Sequence, residues 1–175
     1  YLMNQMACNS PHVIIWIGKK NNQSKRNNFW RNLYLYAKKN FHFDPKMNID
    51  KIEKLYQIIN DHHKDISNLK KFENYIYLLK LKKRIQNIEN LRGYAGIFFE
   101  LEVDNIAQLK ELITIKCQTL SQFGFEINEL KKLILNNNIL GIDRIVPFGK
   151  ALEFDFNWDG YDVVRSLSRT INIKR

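Results

Sequence analysis

His12-Val13-Ile14-Ile15-Trp16-Ile17-Gly18 decides the fold class. The run is short, continuously apolar, rich in β-branched side chains and stopped by a glycine. That is the pattern of a strand buried on both faces, usual in parallel sheets. Before it, residues 1–11 are polar and small and read as a loop. After it, Lys19 to Asn28 reads as a basic loop, and Phe29 to Phe41 as a helix with Phe29, Leu33, Tyr36 and Ala37 on one side. A second helix is expected from about Ile49 to His62. Its apolar stripe is Ile52, Leu55, Tyr56 and Ile59, with Asp50 and Glu53 suited to its first turn.

Farther along, Tyr75 to Leu81 reads as a strand, ended by Lys82-Lys83-Arg84. The clearest period-two segment follows. Ile97, Phe99, Leu101 and Val103 face one way, and Phe98, Glu100 and Glu102 the other. Asp104 is expected to cap a helix carrying Ile106, Leu109, Leu112 and Ile113. Thr119 to Phe125 and Arg144 to Pro147 read as strands, Ile127 to Leu135 as an amphipathic helix, Trp158-Asp159-Gly160 as a turn and Tyr161 to Ser168 as a last helix. Strands alternate with helices, so the expected class is α/β.

Composition sets the outer limits. The chain has 175 residues, 45% of them hydrophobic and 26% charged, which supports a packed core and excludes wholesale disorder. By length it is one ordinary domain or two small ones. No apolar run approaches the roughly 20 residues that span a bilayer, so no integral membrane segment is expected. Cys 2 is too few for a disulfide-stapled scaffold. The formal net charge of +10 permits an anionic partner such as nucleic acid, a membrane surface or a phosphorylated ligand. The Asn-, Lys- and Ile-rich composition of an AT-rich genome would give the same excess without one. The basic clusters are Lys19-Lys20, Lys25-Arg26, Lys38-Lys39, Lys70-Lys71 and Lys82-Lys83-Arg84. They are read first as solvated faces and second as a nucleic-acid footprint.

Cys8 is the first candidate for chemistry. It sits in the polar loop Met6-Ala7-Cys8-Asn9-Ser10-Pro11 just before the buried strand. There a thiolate could be held at the sheet's edge, with backbone N–H groups nearby to receive an oxyanion. An inert free cysteine is the alternative, and it is the first reading for Cys117. His12 could be a satisfied interior side chain, and His62-His63 ends a helix, where a cation is favoured. No ligand spacing for a metal and no glycine-rich nucleotide loop occurs, so neither a metal site nor a self-contained nucleotide fingerprint is expected. Gly93 and Gly96 flank Tyr94-Ala95 ahead of a strand.

Both ends of the chain resemble the acyl-CoA reductase family of the bacterial luciferase operon (LuxC-like), a branch of the aldehyde dehydrogenase superfamily. Tyr1-Leu2-Met3-Asn4-Gln5-Met6-Ala7-Cys8-Asn9-Ser10-Pro11-His12 looks like the family's active-cysteine segment. The stretch Gly141-Ile142-Asp143-Arg144-Ile145-Val146-Pro147-Phe148-Gly149-Lys150-Ala151-Leu152, continued by Trp158-Asp159-Gly160-Tyr161-Asp162 and Ser166-Leu167-Ser168-Arg169, looks like its C-terminal block. Phe98-Phe99-Glu100 and Lys116-Cys117-Gln118-Thr119-Leu120 are also similar.

The resemblance implies an aldehyde-dehydrogenase-like catalytic domain over residues 1–175, a mostly parallel sheet flanked by helices. It implies that the dinucleotide-binding half lies outside this chain. It implies reduction of a fatty acyl-CoA or acyl-protein thioester to the aldehyde through a thioacyl-enzyme on Cys8, with NADPH as hydride donor and no metal. Glu100 then becomes a candidate for the nicotinamide ribose, against the alternative of a surface strand glutamate. The implied partners are the acyl-CoA or acyl-carrier substrate, further copies of the chain, and acyl-transferase or synthetase proteins, with no nucleic acid. The implied location is cytoplasmic. A fragment of this kind is expected to complete no turnover by itself. Two other readings stand beside it: a basic nucleic-acid-binding module without catalysis, and a non-catalytic interaction domain pairing through Arg169 to Arg175.

Overall fold

The computed structural model describes residues 1–18, 23–82 and 85–174. They form two compact units, Tyr1–Leu112 and Ile113–Arg175, where a single domain over residues 1–175 was the expectation. The first unit runs β1 (Val13–Ile17), α1 (Gln23–Asn40), α2 (Pro45–His62), β2 (Ile66–Phe72), β3 (Ile76–Leu81) and β4 (Ile97–Val103). The sheet order is β1-β4-β3-β2. β1 and β3 both run parallel to β4, with Val13 opposite Phe99 and Tyr77 opposite Ile97. β2 is antiparallel on the outer edge of β3. The class is mixed α/β with a mostly parallel sheet flanked by helices.

The alternation in β4 decides where the helices go. Its even positions face α1: Trp30 packs with Ile76, Leu78 and Phe98, its ring 5.5 Å from that of Phe98. Its odd positions face α2, where the His62 ring meets Phe99 edge-on at 6.4 Å. Every residue of β4 except Glu102 is therefore buried. A strand so placed has no solvent face, which is why its polar side chains must find protein partners.

Both helices bury a basic side chain. Arg26, 2% exposed, reaches Glu102 at 2.7 Å and lies over the Trp16 ring. Lys51 has no exposed surface at all. The inward face of α1 is thus Arg26, Trp30 and Ala37, and that of α2 is Lys51, Leu55 and Ile58. The expected stripes included Tyr36 and Tyr56, but both tyrosines are exposed.

Several boundaries shift. α1 begins at Gln23, so residues 23–28 are helical rather than loop, while 19–22 lie outside the described residues, as do Lys83 and Arg84. α2 begins at Pro45 because the Asp44 side chain accepts from the Met47 N–H at 2.7 Å, a cap that lies ahead of the expected start near Ile49. β2 was not expected: its ISNLKKF sequence carries its lysines on an exposed edge, a usual guard against edge pairing. Asp104 does not cap the next helix. Asn105 does, through a capping box with Gln108, and the helix is a 3-10 turn over Ile106–Glu111.

The second unit holds β5 (Thr119–Gln122) parallel to β6 (Arg144–Pro147), α3 (Ile127–Asn136), a hairpin of β7 (Asn157–Trp158) with β8 (Tyr161–Asp162), and α4 (Val163–Ser166). β5 stops short of Phe125, and the last helix is a single turn capped by Asp162. The hairpin turn places Asp159 at φ 53 and Gly160 at φ 80, as a type I′ turn requires. The Arg144 guanidinium lies 4.0 Å above the Trp158 ring and donates to the carbonyls of Ala151 and Glu153. The C-terminal block is thus tied together by side-chain contacts within itself.

Trp30→Ala is expected to cost roughly 3–5 kcal/mol, the range for removing a large aromatic side chain from a core. Tyr36→Ala, on the exposed side of the same helix, should stay within about 0.5 kcal/mol. Urea unfolding of the two variants checks both.

Candidate functional site

The segment carrying Cys8 has an unusual backbone. Leu2–Gln5 form a 3-10 turn in which Met3, Asn4 and Gln5 are left-handed, with φ of 51, 54 and 65. L-residues pay about 1–2 kcal/mol each for that conformation, so the segment must be held from outside. The turn before β4 holds it. The Ala95 N–H donates to the Asn4 carbonyl at 3.0 Å, and the Phe99 N–H to the His12 carbonyl at 2.9 Å. The buried Gln5 amide bonds to Gly96 and Ile97. The Tyr1 hydroxyl donates to the Tyr75 carbonyl at 2.6 Å.

These approaches explain two glycines. A Cβ on Gly93 would lie 1.8 Å from the Ile97 carbonyl oxygen, and one on Gly96 would lie 2.1 Å from that of Tyr75. Neither position tolerates a side chain without moving backbone.

Cys8 is exposed. It lies in the turn that closes with the Ser10 N–H on the Ala7 carbonyl at 3.0 Å. Because this turn precedes β1, the thiol stands at the amino end of the parallel strands. His12 accepts the Gly93 N–H on Nδ1 at 3.0 Å, which leaves its proton on Nε2. Burial, together with the Arg92 charge, pushes its pKa down to about 4. It is a neutral hydrogen-bonding side chain at physiological pH.

Glu100 is not a surface glutamate: it is 8% exposed. It lies opposite Ile14 on one side and Lys80 on the other. α1 touches β4 on either side of it, through Arg26 at Glu102 and Trp30 at Phe98. The structure therefore sets β1 and β4 side by side but puts the Cys8 thiol at the surface and Glu100 beneath a helix. Cys117 is not at a helix end. It lies in the connection before β5, half-buried, with its sulfur 3.8 Å from Thr114 Oγ1.

Lys51 carried no signal as a buried residue. Its Nζ donates to the carbonyls of Asn74 at 2.5 Å and Tyr75 at 3.0 Å. It lies over the rings of Phe43 and Tyr77 at 4.7 and 5.0 Å. It thus shares the Tyr75 carbonyl with Tyr1 and braces the start of the Cys8 segment. The basic clusters are likewise partly consumed within the fold: Lys38 pairs with Glu73 and Arg26 with Glu102.

A cleft of about 800 Å3 is lined by His62, Asp65, Gln86, Asn87, Asn90 and Glu111, with Ile85 and Leu112. Residues 85–90 follow β3 and residues 111–112 follow β4, so the cleft opens at the carboxyl ends of these strands. That is the end of the sheet opposite the Cys8 turn, and Cys8 does not line it. Among the described residues no group of His, Cys, Asp and Glu is placed to hold a metal ion. None of the helices described is long and apolar enough to cross a membrane. No family model and no curated protein matches the chain.

Burial, then the neighbouring Lys71 charge, pushes the Lys51 pKa from 10.5 down to about 7. Between these values the unfolded chain binds a proton that the folded chain has lost. Stability should therefore rise with pH across that window, by up to ~1.4 kcal/mol per pH unit from this group. Lys51→Met removes the titration. Denaturant unfolding of both proteins at pH values spanning the window should show a smaller rise in the variant.

Proposed function

We propose that this chain is the cysteine-bearing part of an NADPH-dependent acyl thioester reductase, and that Cys8 accepts the acyl group. The reading is supported by one observation above the others. The thiol is exposed at the crest of a turn whose flanks are both fixed to the sheet. The resemblance of residues 1–12 and of the C-terminal block points the same way.

The step assigned to this chain is acyl transfer. The Cys8 thiolate attacks the carbonyl carbon of the acyl thioester, and a new C–S bond forms. The bond from that carbon to the carrier sulfur breaks, and the carrier leaves as its thiolate and takes up a proton. Thiolate is both a strong nucleophile and a good leaving group, so the acyl-enzyme is poised for the next step. Met3 and Met6, both largely exposed, precede Cys8 in the same segment and offer soft apolar side chains of the kind an acyl chain packs on.

Glu100, the side chain that the resemblance offers to the nicotinamide ribose, is buried in β4 and does not fit that role. The chemistry proposed for this chain therefore ends at the acyl-enzyme, and reduction belongs to a dinucleotide site that these residues do not form.

Incubation with radiolabelled long-chain acyl-CoA should label the protein. Cys8→Ser should abolish the label and Cys117→Ser should leave it. Label that survives Cys8→Ser would overturn the assignment. With NADPH added, the 175-residue chain should release no aldehyde.

A further inference from the structure

We propose that Gln5 is the positioning residue of the Cys8 thiol. Its side chain is buried, at 1% exposure, and every polar atom of its amide has a partner. Nε2 donates to the carbonyl of Pro11 at 2.9 Å and to that of Ile97 at 3.0 Å. Oε1 accepts the Gly96 N–H at 3.0 Å.

The bond to Pro11 closes a loop over residues 5–11, and Cys8 is the middle residue of that loop. The other two bonds fix the loop to the start of β4. Among the described residues no side chain of residues 6–11 hydrogen-bonds to the sheet. The Gln5 amide ties the thiol's turn to the scaffold at one end, and the His12 ring, which accepts the Gly93 N–H, ties it at the other. The backbone of Gln5 is left-handed, at φ 65, and the bonds of its own side chain oppose its relaxation.

The role is specific to a primary amide of this length. Two donors and an acceptor in one plane serve two carbonyls and one N–H together. An ionised glutamate keeps the acceptor and loses both donors, which sets a carboxylate against two carbonyl oxygens. A protonated glutamic acid regains one donor. Burial raises the pKa of a carboxyl at this place, so Gln5→Glu should switch between the two states as the pH rises through that raised value.

The test uses the Cys117→Ser protein with a nitroxide spin label on Cys8. In the parent the label should move slowly, and equally so at about pH 5 and about pH 8, since the amide does not titrate. Gln5→Leu should give a fast-moving label at both. Gln5→Glu should give a fast-moving label at the higher pH and return toward the parent at the lower. That recovery is one a purely structural role would not show, and it carries the test should Gln5→Leu fail to fold.

The catalytic readout rests on the acyl transfer proposed above. In unlabelled protein, acylation by long-chain acyl-CoA should fall roughly tenfold or more in Gln5→Glu at the higher pH, as for a misplaced nucleophile. Alkylation by iodoacetamide, which needs no fixed geometry, should change by less than about threefold. Parent-like label motion in Gln5→Glu at both pH values would overturn the proposal, as would unchanged acylation. A parent that takes up no acyl group at all would overturn the reductase reading, while the spin-label comparison would still decide the role of Gln5.

Discussion

The first unit depends on one constraint: β4 is covered on both faces and paired on both edges. A strand in that position has no polar surroundings to fall back on. Its even side chains demand α1, its odd side chains demand α2, and its two edges demand β1 and β3. The turn that feeds it then becomes a buried junction. Four segments meet there: the Cys8 segment, the Gly93–Ile97 turn, the β2–β3 turn and, through Lys51, α2. The close approaches at Gly93 and Gly96 are the cost of packing these backbones together.

The same constraint places the Cys8 segment. A loop that enters β1 from its amino end is held wherever β4 begins, so the Cys8 thiol is presented at that end of the sheet. The cleft lined by Asn87, Asn90 and Glu111 lies at the other end, where the parallel strands finish. Open parallel sheets usually bind ligands at their carboxyl ends. Cys8 does not line that cleft, so the proposed acyl transfer is assigned to the other end of the sheet.

Much of the fold was legible in the sequence, and the exceptions share a cause. β3, β4 and α3 were readable because their apolar periodicity is strong, and β1 and β6 because they are short apolar runs; β1, however, is a half-buried edge strand and not one buried on both faces. β2 was not, since an edge strand with lysines on its exposed side breaks alternation. The stripes of α1 and α2 were misread because periodicity counts Arg26 and Lys51 as surface, whereas each is buried against a specific acceptor. Tyr36 and Tyr56 were counted as core for the converse reason. At the candidate site, the polar loop and its cysteine were plain from composition, and the exposure of Cys8 agrees with them. Gln5 was invisible. Its role comes from partners at residues 11, 96 and 97, and no local pattern reports contacts so distant. Glu100 was read as lying on a polar face of β4, but that face is buried, and the burial could not be read from the strand alone.

The proposal stands on the Cys8 sulfur carrying the acyl group. Tandem mass spectrometry of the protein after incubation with an acyl-CoA should find the acyl mass on the peptide containing Cys8, joined through sulfur and released by neutral hydroxylamine. An acyl mass found only on Cys117 or on lysine side chains, or no added mass at all, would rule the proposal out.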